Sequence, residues 1–263
     1  MDQTNRVLTI SVGNTRTRAG IFAGGQLVES AASVNADEPE LRGLLTRLLG
    51  SDTSHTYAVL ASVNDAVAER VAGMVGELTR GVFPDRIGRD VTIPIQHSLD
   101  QAGTVGQDRW LNAIAAHART NQACVIVDAG TAVTVDFIDG QGAFHGGVIF
   151  PGLRMMLRAM HEFTAALPSI EFLPPDADRG PLGKDTAHAM TLGVLAALRG
   201  GVRAQVERCA DYYGAYPQVI ATGGDAPLLE EEDGIIEHIV PDLTLIGMHE
   251  CVARQLAETD GDE

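Results

Sequence analysis

Lys184 is the only lysine in 263 residues, so arginine carries nearly all the positive charge. That charge is scarce as well: 19 basic residues stand against 35 acidic ones, for a net charge of −16. A nucleic-acid binder needs a basic stripe for phosphates, and this chain has too little to build one. The three cysteines, Cys124, Cys209 and Cys251, are odd in number, scattered and free of any CxxC pair. They exclude a disulfide framework or a structural zinc site and read as reduced thiols. No apolar stretch approaches the roughly 18 residues a membrane helix needs. The polar opening, Met1 to Arg6, is not followed by a basic-then-apolar leader. Both facts point to a cytoplasmic protein that avoids membranes.

Two familiar nucleotide signatures are also missing. Gly183-Lys184-Asp185-Thr186 matches the end of a P-loop but lacks the earlier glycine and the preceding strand, and no strand-coupled GxGxxG occurs. The histidines (His55, His97, His117, His145, His161, His188, His238 and His249) show no metal-ligand spacing and read as structural or surface residues. No Ser/His/Asp or Cys/His arrangement stands out.

The composition, 45% hydrophobic and 21% charged, is that of an ordered globular chain with ample core. Val7–Ser11, Arg16–Phe22 and Leu27–Ala32 read as a three-strand meander, turned at Gly13-Asn14-Thr15 and Gly24-Gly25. Leucines 41, 44, 45 and 48 fall at helical spacing, which predicts a helix over 38–49 with Pro39 at its start. A strand over 57–63 follows, then a helix over 66–79. Residues 81–100 read as loop with a short strand, and a strong helix runs over 108–119. The pattern then restarts: strands over 124–128, 132–138 and 143–150, then a helix opened by Pro151-Gly152 and running to about 163, with Met155 and Met156 in the core. A proline-rich loop covers 168–181. A helix over 186–206, a strand over 218–222 and a helix over 243–256 complete the chain. The acidic run Glu230–Asp233 reads as a solvated turn, and the tail from Glu258 as frayed.

The two meanders align at an offset of 117 residues, Ser11 over Asp128 and Gly13-Asn14 over Gly130-Thr131. This predicts a duplicated α/β architecture: one lobe over 1–118, a second over 119–263, and a cleft between them. Glycine turns at strand ends present backbone N–H groups to an anion, and a matched pair of them suits a polyphosphate. Each turn taken singly reads first as an ordinary β-turn. Gly106-Gln107-Asp108-Arg109 is the constellation closest to acid–base chemistry. Asp108 opens a helix, where the dipole favours a carboxylate, and Arg109 beside it offers a bidentate fork. Read only from spacing, Asp108 is equally a helix N-cap. Asp128 ends an otherwise apolar strand, so its carboxylate needs a hydrogen bond or a cation; an Asx turn is the competing reading.

Taken together these residues resemble a type III pantothenate kinase, of the acetate and sugar kinase/Hsp70/actin superfamily. The resemblance rests on Gly13-Asn14-Thr15, Val105 to Trp110, Val127 to Asp136, Gly146 to Ile149 with Pro151-Gly152-Leu153, Thr164 to Pro168, Gly183 to Thr186 and Thr222 to Asp225, seven motifs in order over nearly the whole chain. It implies duplicated actin-like (ribonuclease H-like) lobes and ATP-dependent phosphorylation of pantothenate, the first step of coenzyme A biosynthesis. It assigns Asp108 as the acceptor of the hydroxyl proton and places Gly106, Gln107, Asp108, Arg109 and Thr186 at pantothenate. The stretch Ser11, Val12, Gly13, Asn14, Thr15, Arg16, Thr17, Arg18 and, in the second lobe, Thr131 go to ATP. Asp128 is assigned a potassium or ammonium ion, Mg²⁺ arrives with ATP, and the enzyme is expected to be a homodimer.

The chain departs from the family pattern in three places. Ser11 stands where the first turn carries Asp, and Arg18 where Lys is usual. Leu99 or His97 stands where a substrate-contacting Tyr belongs. These departures keep two other readings open: a non-catalytic homologue that binds nucleotide or pantothenate, and a kinase for another small alcohol.

Overall fold

In a computed structural model of the protein, the structure describes residues 6–230 and 234–261. The acidic run therefore lies, beyond Glu230, outside the described residues, as do the last two of the tail. The chain divides into two compact units: Met1–Asn121 with Gly142–Phe144 and Asp242–Glu263, and Gln122–Gln141 with His145–Pro241.

The first unit opens with β1 (Arg6–Val12), β2 (Arg16–Ala23) and β3 (Gln26–Val34). Then come α1 (Glu38–Leu49), β4 (Thr56–Ser62), α2 (Asp65–Leu78) and the short β5 (Asp85–Arg86) and β6 (Gln96–His97). The sheet order is β3-β2-β1-β4-β5, with β1 antiparallel to β2 and parallel to β4. Side chains alternate across β1. Leu8, Ile10 and Val12 join Leu41, Leu45 and Leu48 of α1 in one core, while Val7 joins Phe22 and Val59 on the other face. The leucine spacing that predicts α1 is its buried stripe, and the helix starts where the Asp37 side chain accepts the Glu40 N–H. α3 (Gln107–Thr120) contributes Leu111 and Ile114 to the second face.

The second unit repeats the plan. It is built on β7 (Cys124–Ala129), β8 (Ala132–Ile138) and β9 (Ala143–Pro151), then α4 (Leu153–Glu162), the long α5 (Thr186–Tyr213), β10 (Gln218–Thr222) and β11 (His238–Ile239). Its order β11-β10-β7-β8-β9 is that of β5-β4-β1-β2-β3, strand for strand. β7 is antiparallel to β8 and parallel to β10, as β1 is to β2 and β4. The duplication read at the 117-residue offset is therefore a duplication of topology. The start of β9, Ala143-Phe144, pairs with β6.

Three expectations need adjustment. The last helix, α6 (Leu243–Gly261), groups with the first unit rather than with 119–241, because Leu245, Met248, Cys251 and Val252 complete the core face of Val7 and Phe22. It also continues through Gly261, past the expected end at 256. α5 runs seven residues beyond Val206, to a left-handed Gly214 cap. Its last turn is held by tertiary contact, with the Tyr213 ring 5.3 Å from Phe137. Met155 is 42% exposed, whereas Met156 packs on the core as expected. The three cysteines are buried free thiols.

Candidate active site

The first glycine turn joins β1 to β2. Ser11 and Arg18 are direct cross-strand partners, so their side chains share a face. The Gly13 N–H donates to the Arg16 carbonyl (2.9 Å) and closes the turn. A Cβ on Gly13 would lie 3.0 Å from that carbonyl, which explains the glycine. Asn14, Thr15 and Arg16 are exposed around it. Val12 and Thr17 are wholly buried, and the Val12 carbonyl accepts from the Val63 N–H, so these two shape the turn without facing a ligand.

Asn35, which the sequence reading passed over, holds this turn. Its side-chain amide donates to the Gly13 carbonyl (2.8 Å), its Oδ1 accepts from the Thr17 hydroxyl (2.8 Å), and its N–H donates to the Thr15 carbonyl (2.9 Å). Arg70 in turn donates to the Asn35 carbonyl (2.6 Å). Asn35 lies just past β3 in a stretch with no glycine signature, and only the register of β3 against β2 brings it back to the turn.

In the same unit the Val63 N–H donates to the Val12 carbonyl (3.0 Å), so the ends of parallel β1 and β4 lie together. The start of α3 is fastened there. The Gln107 side chain accepts from the Ser62 N–H (3.3 Å) and donates to the Ile87 carbonyl (2.8 Å), which makes it a brace between strand ends. Gly106, not Asp108, is the N-cap residue, and it makes no side-chain capping bond. Asp108 sits two positions further in, its Oδ1 accepting from the Arg109 N–H (2.9 Å). A Cβ at position 106 would meet that oxygen at 2.6 Å, so the glycine makes room for the carboxylate. Burial pushes the Asp108 carboxyl above the usual carboxylate range, while the Arg109 N–H and guanidinium pull the other way. The Arg109 guanidinium stands 5.9 Å over the Phe144 ring, and Phe144 in turn packs on Trp110. His97, one of the two residues at the expected Tyr position, is exposed on β6 with its ring 5.5 Å from Trp110.

In the second unit Asp128 is the last residue but one of β7, between Thr134 of β8 and Thr222 of β10. Three glycines crowd round it. Gly130 closes the turn with its N–H on the Ala132 carbonyl (3.1 Å). A Cβ on Gly152 would come within 2.2 Å of the Gly130 carbonyl. Gly223, at φ +90°, would put one 2.6 Å from Asp128 Oδ1. Thr131 is exposed at the tip. The buried Asp225 carboxylate fastens the knot by accepting from Arg154 through both oxygens (2.9 Å each). Thr186 is the exposed first residue of α5, after the N-cap Asp185, whose side chain accepts the His188 N–H (2.8 Å). The Lys184 N–H donates to His188 Nδ1 (3.2 Å), which ties the loop to the helix.

The Asp128 Oδ1 and the Ala129 carbonyl both border the space a Cβ on Gly223 would fill, and they are the oxygens of this turn that could take a monovalent ion. Among the described residues no three His, Cys, Asp or Glu side chains gather as a metal site.

Comparison with known proteins identifies the scaffold. The type III pantothenate kinase family model matches residues 7–208. The type III pantothenate kinase of Parafrankia sp. is 34% identical over 248 residues, covering 92% of this chain and 95% of its own length. That of Streptomyces griseus is 33% identical over 272 residues, covering 95% and 99%. Among solved structures, a conserved Campylobacter jejuni protein described as a Baf family transcriptional activator superposes with TM-score 0.60 at 17% identity, over 95% of this chain and 99% of its own. The ADPNP-bound activator of 2-hydroxyisocaproyl-CoA dehydratase from Clostridium difficile gives 0.52 at 12%, over 98% of each. At those identities the two structures speak for the duplicated actin-like fold alone. The sequence matches, one over residues 7–208 and the others over 92% and 95% of the chain, go further: the chain belongs to the type III pantothenate kinase family.

Proposed function

We propose that this chain phosphorylates pantothenate with ATP, giving 4′-phosphopantothenate and ADP, the first step of coenzyme A biosynthesis. The observation that carries this reading is the start of α3. There a carboxylate with a raised pKa sits over a glycine, beside the ends of two parallel strands, the place where α/β sheets bind ligands. The pantothenate hydroxyl oxygen attacks the γ-phosphorus, the bond to the β,γ-bridging oxygen breaks, and ADP leaves with its electron pair. Asp108 orients the hydroxyl and takes its proton. A base somewhat stronger than an ordinary carboxylate serves that task better. Arg109, steadied on Phe144, offers its fork to the acceptor's carboxylate, and the Thr186 hydroxyl adds a further contact.

ATP is bound by the turn Ser11 to Arg18 and by Thr131. Mg²⁺ on the nucleotide and a potassium or ammonium ion at Asp128 would neutralise phosphate charge, which is most of what phosphoryl transfer asks of its surroundings. The enzyme is read as a homodimer, as the family resemblance implies. The enzyme is read as cytoplasmic; no helix among the described residues is long and apolar enough to cross a membrane. Neutral Ser11 favours, as a second reading, a non-catalytic homologue that binds nucleotide or pantothenate, and the missing Tyr favours a kinase for another small alcohol.

A coupled ADP-release assay with pantothenate, Mg²⁺ and K⁺ tests the reading. Pantothenate-dependent turnover is expected, with rates falling when Na⁺ replaces K⁺ at equal ionic strength. ATP binding without turnover would favour the regulator, and equal rates in both salts would remove the ion from Asp128.

A further inference from the structure

Arg18 is held from the far end of the sequence. Its Nη1 donates to Asp242 Oδ1 (2.5 Å), 224 positions on, and the pair is half-buried, 36% and 19% exposed. Asp242 begins α6, its carbonyl accepting from the Ile246 N–H (3.0 Å), and the helix start favours a negative charge there. α6 is fitted closely onto the sheet that carries Arg18. A Cβ on Gly20, two residues along β2, would meet Leu245 at 2.9 Å. One on Gly247 would meet the Leu111 carbonyl at 2.0 Å. The Thr244 hydroxyl donates to buried Asn112 (2.7 Å), one helical turn beyond Asp108. So the first turn of α6 touches both the strand of Arg18 and the helix of Asp108, within one unit.

Across the ladder from Arg18 stands Ser11, which has no charge to hold a guanidinium. We propose that Asp242 is a positioning residue of the first glycine turn: from the start of α6 it supplies the carboxylate that position 11 lacks and sets the Arg18 fork for the phosphates of ATP. The inference rests on the nucleotide role proposed for Arg18. A guanidinium has five donors in one plane, and Asp242 engages one amino group, so the fork is oriented before the nucleotide arrives. Freezing a long side chain in advance is worth about 3–10-fold in affinity. The opposite arrangement, a latch in which Asp242 competes with phosphate for Arg18, predicts the opposite sign.

Calorimetric titration with ATP·Mg²⁺, without pantothenate, decides between them. Asp242→Asn keeps a residue that caps helices well, so α6 should start normally and Tm stay near wild type. Its Kd for ATP·Mg²⁺ should rise about 3–10-fold. Asp242→Glu should lie nearer wild type, and KM for pantothenate should not move. Adding Ser11→Asp to Asp242→Asn places a carboxylate opposite Arg18 and should bring Kd back to within about 2-fold, which a merely structural role for Asp242 does not predict. Unchanged or tighter binding by Asp242→Asn overturns the inference while leaving the kinase reading intact, and so does a double variant that stays weak. A wild-type protein that binds no ATP·Mg²⁺ overturns the nucleotide reading and this inference with it.

Discussion

At the scale of the residue, Asp108 is a carboxylate kept where its charge is costly. Burial raises its pKa in the folded chain, so the native state holds a proton that the unfolded state gives up in the window between the ordinary carboxylate value and the raised one. Stability from this group therefore falls as pH rises through that window, and above the raised pKa the full desolvation cost stands. Activity needs the opposite, the ionised base, and should fall as pH drops through the raised pKa. Asp108→Asn separates the two. We expect kcat to fall by at least about 10²-fold, with Tm at pH 7 equal to or above wild type because no buried charge remains. The Arg109 N–H keeps an acceptor in the amide oxygen. Near-full activity in a folded Asp108→Asn protein would return the residue to a structural role in the first turn of α3.

At the scale of the element, the β1–β2 turn depends on a residue that belongs to neither strand. Asn35 satisfies a main-chain carbonyl, a buried hydroxyl and, through its own N–H, a second carbonyl. Asn35→Ala leaves the Gly13 carbonyl and the Thr17 hydroxyl without this partner, while the main-chain bond to Thr15 survives. The expected loss is about 1–3 kcal/mol in urea unfolding, with weaker ATP binding because the turn loses its shape. Stability and ATP affinity both at wild-type level would show that the turn holds itself. The same logic accounts for what could be read along the chain. The start of α3 is legible to within a residue, because glycine and an apolar period are local signals, although its cap is Gly106 and not Asp108. The brace made by Gln107 is not, because its partners, Ser62 and Ile87, are distant in sequence.

At the scale of the whole molecule, the last helix belongs to the first unit. Leu245, Met248, Cys251 and Val252 are almost wholly shielded from water there. Each is worth about 1.5–3 kcal/mol of burial for a large apolar side chain, somewhat less for cysteine. Their sum approaches the whole stability of an ordinary domain, about 5–15 kcal/mol. A chain ended at Pro241 should therefore leave the first unit unfolded or insoluble, read by soluble yield and by protease digestion of residues 6–121. A soluble, protease-resistant product would show that the sheet and its remaining helices suffice.

The sequence by itself determined the order of the elements, the duplication at 117 residues and the turns at which chemistry was sought. Each of these follows from signals a few residues long: a side-chain period of 2 or 3.6, a glycine at a turn, a cap at a helix start. The family, too, was legible in the seven motifs. Only the tertiary structure decided that α6 returns to the first unit, that Asn35 shapes the first turn, that Asp225 closes on Arg154, and that Arg18 answers to Asp242 rather than to its neighbour Ser11. These are pairings between residues tens to hundreds of positions apart. They are set by which faces pack together once apolar surface leaves water, and no local pattern along the chain carries that information.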